Sequence, residues 1–282
     1  MDSIKIYAFA DEASQDIDGQ IVAIKRNGLS GVEIRGVDKE NISDITLQKA
    51  KEVKEKFDNA GFIVWSIGSP IGKIDIEKDD FKAHLEKLKH TLEIANILNA
   101  ENIRLFSFYI PNGKKPEDYR NEVIERLGTM AELSVKSGIA PCHENEKGIY
   151  GDNAQRCLEI YEKLPLVQGV FDPANFVQCG VDTAVAWKML NPYIKYLHIK
   201  DALADGSVVP AGEGIGNVKN ILKDYIALGG NAVTIEPHLT VFDGLKTLER
   251  KGKESEVGKK YTFPDADTAF DTACSTFKKL LG

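Results

Sequence analysis

The sequence predicts a single (β/α)8 barrel over residues 1–282, and three observations predict it. Eight short β-rich runs alternate with longer stretches of helical periodicity. Several of those runs are apolar on both faces, as strands covered by helices should be. A chain of 282 residues also suits eight βα units better than an open doubly wound sheet, which more often has five or six parallel strands.

In chain order the candidate strands are IKIYAFA (4–10), GVEIR (31–35), FIVWSIG (62–68) and NIRLFSF (102–108), then IAPCHE (139–144), VQGVFD (167–172), YIKYLHIK (193–200) and AVTIE (232–236). Helical spacing is clearest in 79–98, where Phe81, Leu85, Leu88, Leu92 and Ile97 recur. It returns in 116–136 with Val123, Leu127, Met130, Leu133 and Val135. Asn-Ala-Gly at 59–61 and Lys-Ser-Gly at 136–138 have the composition of helix C-terminal stops, each leading directly into a strand. The first strand runs into FADEASQD instead of GxGxxG, which removes the main support for a dinucleotide fold. No interdomain linker is visible. A polar insertion is expected at about 243–263, around the Lys-rich KTLERKGKESEVGKKYT (246–262), before a last helix near 264–281. A solvated helix end and loop, or a lid or subunit contact, would account for it.

Composition narrows the function classes. Asp and Glu outnumber Lys and Arg 43 to 36, for a net charge of −7, so a phosphate-backbone partner is not expected, although a local pocket for one small anion is compatible. No apolar run is long enough for a membrane span. The opening MDSIKIYAFADEA lacks the layout of a signal peptide, and a cytoplasmic location is expected. The four cysteines, Cys142, Cys157, Cys179 and Cys274, form no CxxC pair and are expected to be reduced and mostly buried.

In such a barrel the C-terminal strand ends converge on one mouth. Strand five ends in His143-Glu144-Asn145-Glu146, strand six in Asp172, strand seven in His198-Ile199-Lys200-Asp201, and strand eight in Glu236-Pro237-His238. Any one of these acids could simply cap the next helix. Together, Glu144, Asp172, His198 and Glu236 place three carboxylates and an imidazole on one rim. Without compensation the carboxylates would repel and raise one another's pKa. A divalent cation such as Mn²⁺, Mg²⁺ or Zn²⁺ removes that penalty and leaves positions for substrate oxygens.

This set, with the phrases HENEKGIYGD, FDPANF, YLHIKDA and TIEPH, resembles the xylose-isomerase-like barrel superfamily of sugar and sugar-phosphate isomerases and epimerases. FADEAS and IRLFSFY are also similar to members of that group, and the resemblance covers essentially the whole chain. It implies that Glu144, Asp172, His198 and Glu236 bind one divalent metal, Mn²⁺ first, with Mg²⁺, Co²⁺ or Zn²⁺ as alternatives. It implies further that Glu144 and Glu236 exchange protons with opposite faces of a substrate carbon. The activity implied is isomerisation or epimerisation of a small sugar or sugar derivative through an enediolate. A metal-dependent dehydratase or lyase on a polyhydroxy acid or a keto-inositol-like compound is the alternative. An abasic-site endonuclease, whose branch uses a His-rich multi-zinc cluster, is disfavoured by the acidic charge and by only five His, two of them (His84 and His90) on a predicted helix. A non-catalytic sugar-binding barrel is disfavoured by the intact Glu pair.

Two departures alter the expected sugar grip. Asn175 stands where the ketose 3-epimerases of the superfamily carry His, and Ala204 where they carry Arg. The expected substrate contacts are therefore Asn175, Lys200, Arg104, His238 and Glu33. For Arg35, Arg104 and Lys200 the choice is between a salt bridge to a neighbouring acid and a clamp on a substrate carboxylate or phosphate. Strand alternation turns His143 away from Glu144's face. The loop PAGEGIGN (210–217) could offer backbone N–H groups to an anion or be a plain connector, and Asp201 is expected to support or cap the turn at the end of strand seven. The expected partner is a small sugar-like molecule, without nucleic acid or membrane; self-association into a homo-oligomer is left open.

Overall fold

A computed structural model describes residues 4–241 and 260–282. All eight expected strands form, each a little shorter than its apolar run: β1 Lys5–Ala8, β2 Gly31–Ile34, β3 Ile63–Ile67, β4 Asn102–Leu105, β5 Ala140–Glu144, β6 Gln168–Phe171, β7 Ile194–Ile199 and β8 Ala232–Ile235. They pair in parallel and close into one barrel, β8 hydrogen-bonding β1 in the register Lys5–Ala232 to Ala8–Ile235. The chain is thus a (β/α)8 barrel. The residues trimmed from the strand ends build the mouth. After β1, for example, Ala10–Glu12 leave the ladder as a turn of 3-10 helix.

The helices start and stop where local chemistry dictates. Asp16, Thr46, Asp80, Asn153, Asp182 and Asp265 each accept a backbone N–H in the first turn of the helix that follows. These helices are α1 Ile17–Arg26, α2 Leu47–Ala60, α3 Phe81–Leu98, α5 Ala154–Lys163, α7 Thr183–Leu190 and α9 Ala266–Leu281. Between them come α4 Arg120–Lys136, α6 Pro173–Gln178 and α8 Val218–Ala227. The predicted stop at 59–61 is confirmed by Gly61 in the left-handed region, φ 77°. The insertion expected at about 243–263 lies, up to residue 259, outside the described residues. No described helix is long and apolar enough to cross a membrane.

One large apolar core joins barrel and helices, reaching from Ile24 of α1 to Phe277 of α9. A second, smaller cluster of Tyr7, Trp65, Cys142, Val170, Tyr196 and Ala232 fills the barrel itself. Tyr7 stacks on Trp65 at 4.6 Å, and Tyr196 meets Trp65 edge-on at 4.8 Å. This aromatic plug is the floor on which the polar residues of the mouth stand. His84 and His90 sit away from it on α3, bonded to the backbone of Gly72 and Ile45.

Candidate active site

The pleat of β5 turns Glu144 into the barrel and His143 out of it. As the alternation predicted, His143 lies behind the wall, with Nε2 2.9 Å from Ser107 Oγ and its ring edge-on to Tyr161. Asn145 then locks the ends of β5 and β6 together. Its Nδ2 donates to Asp172 O, and its Oδ1 accepts from Asp172 N, both at 2.9 Å. Asp172 uses Oδ1 to cap α6 through Asn175 N at 2.9 Å and points Oδ2 at Lys200 Nζ, also 2.9 Å away. A helix cap and a site ligand are therefore not competing explanations for Asp172.

His198 is fully buried at the centre. Its Nδ1 lies 2.9 Å from Glu144 Oε1 and 3.6 Å from Glu236 Oε2, while Nε2 lies 3.1 Å from Glu33 Oε2. Burial alone would lower the pKa of His198, but Glu144 and Glu33 raise it to about 10. Burial pushes Asp172 up to about 7, with Glu236 and Glu144 adding to the rise and Lys200 opposing it. Burial would also raise Glu236, yet Lys200, His238, His198 and Arg35 hold it well below the usual carboxylate range.

Lys200 does point to the mouth, and the salt-bridge alternative is the one observed: its ammonium lies 2.7 Å from Glu236 Oε2. Arg104 donates to Glu144 Oε2 at 3.1 Å and to Gly68 O at 3.1 Å. Asn175 Nδ2 reaches Glu144 Oε1 at 3.3 Å and Asn145 O at 3.0 Å. His238 leaves the strand at Pro237 with φ 45°, its N–H bonded to Glu12 Oε2 and its Nδ1 3.7 Å from Glu236 Oε1. Glu33 differs from the rest. It sits under His198 with no solvent exposure and accepts from Tyr196 Oη at 2.9 Å, because β2 delivers it to the layer between plug and mouth.

The glycine-rich loop also departs from expectation. Asp201 turns its carboxylate into PAGEGIGN and accepts from the N–H groups of Gly212, Gly214 and Gly216 at 2.9, 3.1 and 2.8 Å. The anion held by that loop is the chain's own. A Cβ on Gly214 would lie 2.3 Å from Asp201 Oδ1, so the close approach requires glycine.

Asp11, Glu12 and Lys73 went unassigned in the sequence, whereas for Arg35, at the end of strand two, the expected salt bridge to a neighbouring acid is the alternative observed. Arg35 binds Asp11 at 2.9 Å, Glu12 at 3.0 Å and Glu236 at 3.2 Å. Lys73 pairs with Glu146 at 3.2 Å. Arg35 and Arg104 lie on the ring of Phe9 at 4.4 and 5.0 Å; Arg104 and Lys73 lie on Phe106 at 5.0 and 4.4 Å. The strand-end rule applied to β1 would have found Asp11 and Glu12 in FADEAS. Nothing local marks Lys73, which comes from the loop after β3.

One donor atom from each of Glu144, Asp172, His198 and Glu236 falls within 4.8 Å of the others. Three hard oxygens and an imidazole suit a divalent ion, and a carboxylate behind the second imidazole nitrogen is the usual support of a ligating histidine. Glu33 supplies that support, so the donor set fits. Glu12, Glu236 and His238 form a second grouping, but the Arg35 guanidinium already supplies its positive charge.

A family model described as xylose isomerase-like TIM barrel matches residues 21–249. A curated 3-dehydroshikimate dehydratase of Bacillus anthracis is 21% identical over 178 residues, covering 62% of this chain and 62% of that protein. Among solved structures, the IolI protein with a bound zinc atom superposes with a TM-score of 0.75 at 16% identity, over 99% of this chain and 98% of that one. The 3-keto-D-glucoside 4-epimerase YcjR of E. coli superposes with a TM-score of 0.70 at 15% identity, over 99% of each. At such identities these structures share the fold.

Proposed function

The chain belongs to the xylose isomerase-like TIM barrel family, and we propose that it is a divalent-metal-dependent isomerase or epimerase of a small sugar or sugar derivative. In this reading Glu144, Asp172, His198 and Glu236 hold the ion, Mn²⁺ first, and Glu144 and Glu236 are also the acid/base pair. The observation that carries it is the placing of the two glutamates. They come from the outer two of four neighbouring strands and flank Asp172 and His198. Both approach the same groups, His198 Nδ1 at 2.9 and 3.6 Å and Arg104 Nη1 at 3.1 and 3.9 Å.

A bound divalent ion would polarise a substrate carbonyl and its neighbouring hydroxyl, which acidifies the C–H between them. The chain's own residues do the rest. Lys200 and Arg35 keep Glu236 ionised, ready to accept a proton. One glutamate takes the proton as the carboxylate, and the other returns one as the carboxylic acid. Return to the opposite face of the same carbon is epimerisation; return to the adjacent carbon is isomerisation. Glu33 accepts from His198 Nε2–H and so presents Nδ1 to the quartet. Asn175 and Arg104 fix the Glu144 carboxylate.

The 3-dehydroshikimate dehydratase match supports a second reading, in which a β-hydroxyl leaves after the same proton loss. Both are tested by incubating the Mn²⁺-loaded protein with ketoses, their phosphates and sugar acids in D₂O. Deuterium should enter one carbon beside the carbonyl without change in composition; a product lighter by water selects the dehydratase. Glu144→Gln and Glu236→Gln should each slow exchange by about 10²–10⁴-fold. Unchanged exchange in either variant removes the acid/base assignment.

A further inference from the structure

We infer that the substrate is an uncharged polyhydroxylated carbonyl compound, carrying neither phosphate nor carboxylate. The inference rests on the proton-transfer reading above and narrows its substrate class. Among the described residues, each cation buried in the mouth faces a carboxylate. Arg104 is held by Glu144 at 3.1 Å, and Lys200 by Glu236 at 2.7 Å and Asp172 at 2.9 Å. Arg35 is surrounded by Asp11, Glu12 and Glu236, and Lys73 faces Glu146 at 3.2 Å. Lys147, nearer the surface, rests on the Gln178 side-chain oxygen at 3.4 Å.

The glycine-rich loop after β7 offers no free cradle either. The amides of Gly212, Gly214 and Gly216, the natural cradle for a phosphate in this loop, are spent on Asp201. Leaving aside Lys147 near the surface, seven carboxylates (Asp11, Glu12, Glu33, Glu144, Glu146, Asp172 and Glu236) stand against the four cations Arg35, Lys73, Arg104 and Lys200, so one divalent ion in the quartet still leaves the acids in formal excess. A phosphate or carboxylate would therefore have to displace a buried acid from its cation and enter a site of its own sign. Hydroxyl groups meet no such obstacle. Each can donate to a carboxylate and accept from an ammonium or guanidinium without altering the charge balance.

The test uses the Mn²⁺-loaded protein and matched probes. Deuterium exchange is compared for D-fructose and D-tagatose against their 6-phosphates, with 3-dehydroshikimate as the carboxylate. The neutral member of each pair should have a kcat/KM at least roughly 100-fold higher; faster exchange in an anionic member overturns the inference. Should no probe exchange, the proton-transfer reading fails, and binding still decides the charge preference. Calorimetric titration with xylitol and with sulfate is then run on the wild type and on Glu12→Gln, which relieves Arg35 of one acid. Sulfate should bind the wild type more weakly than xylitol and gain roughly tenfold in Glu12→Gln. Wild-type sulfate affinity at or above that of xylitol, or no gain in the variant, overturns it.

Discussion

The two sides of the barrel mouth are built on different principles. From β5 to β8, each strand ends in a group that can ligate: Glu144, Asp172, His198 and Glu236. From β1 to β4, the mouth is lined by cations laid on aromatic rings, Arg35 and Arg104 on Phe9, then Arg104 and Lys73 on Phe106. Phe9 joins the sides, its ring also meeting His198 edge-on at 5.3 Å. Neither side is stable alone. Buried carboxylates without counter-charge would take up protons, and buried guanidinium groups without acids would be costly to desolvate. One side presents the donors, with Lys200 among them, and the other sets Arg35 and Arg104 against Glu236 and Glu144 as counter-charges.

The sharpest way to break this comparison is to remove a cation from the compensating side. Arg35→Met would strand Asp11, Glu12 and Glu236 in a buried setting, and unfolding in urea should show a loss of about 3–5 kcal/mol. A loss no larger than that of an exposed ion pair, about 1 kcal/mol or less, would mean that Arg35 is not the counter-charge described here. A smaller effect is expected beneath the ligands. Glu33→Gln keeps the shape of the side chain but weakens its hold on His198 Nε2, and calorimetric titration should show Mn²⁺ affinity falling by roughly 10–100-fold. Unchanged affinity would reduce Glu33 to a structural partner of Tyr196.

A third effect is a pH dependence in the metal-free protein. Facing Glu33, Glu144 and Glu236, His198 has its pKa raised from 6.5 to about 10 on folding. The folded state then binds a proton that the unfolded state has lost. The resulting stability is complete below pH 6.5 and disappears as pH rises through about 10. The gap in melting temperature between wild type and His198→Gln should narrow by several degrees across that window. A gap that is constant with pH would show that His198 is neutral in the folded protein.

Much of the acid side was legible because strand period and strand ending are local properties. Eight apolar runs set the barrel, and reading the last residues of four of them located the quartet. The same rule, not applied to β1, missed Asp11 and Glu12. Glu33 was legible as a strand residue but not as a support for His198. Residues 33 and 198 belong to strands that are not neighbours in the barrel, and they meet across its interior above Tyr196. Asp201 was recognised as a support for the turn, but its capture of three glycine amides reversed the anion-binding expectation for PAGEGIGN.

By itself, then, the sequence determined the fold class and picked out the four strand-end residues that gather at the mouth, because hydrophobic period and alternation act over a few residues. Tertiary structure alone decided which acid neutralises which base. That pairing depends on barrel closure, which brings Arg35 to Glu236 across 201 residues of chain and Lys200 to both Asp172 and Glu236. Charge pairing in a buried site is a property of distances under low dielectric, and no local pattern encodes those distances.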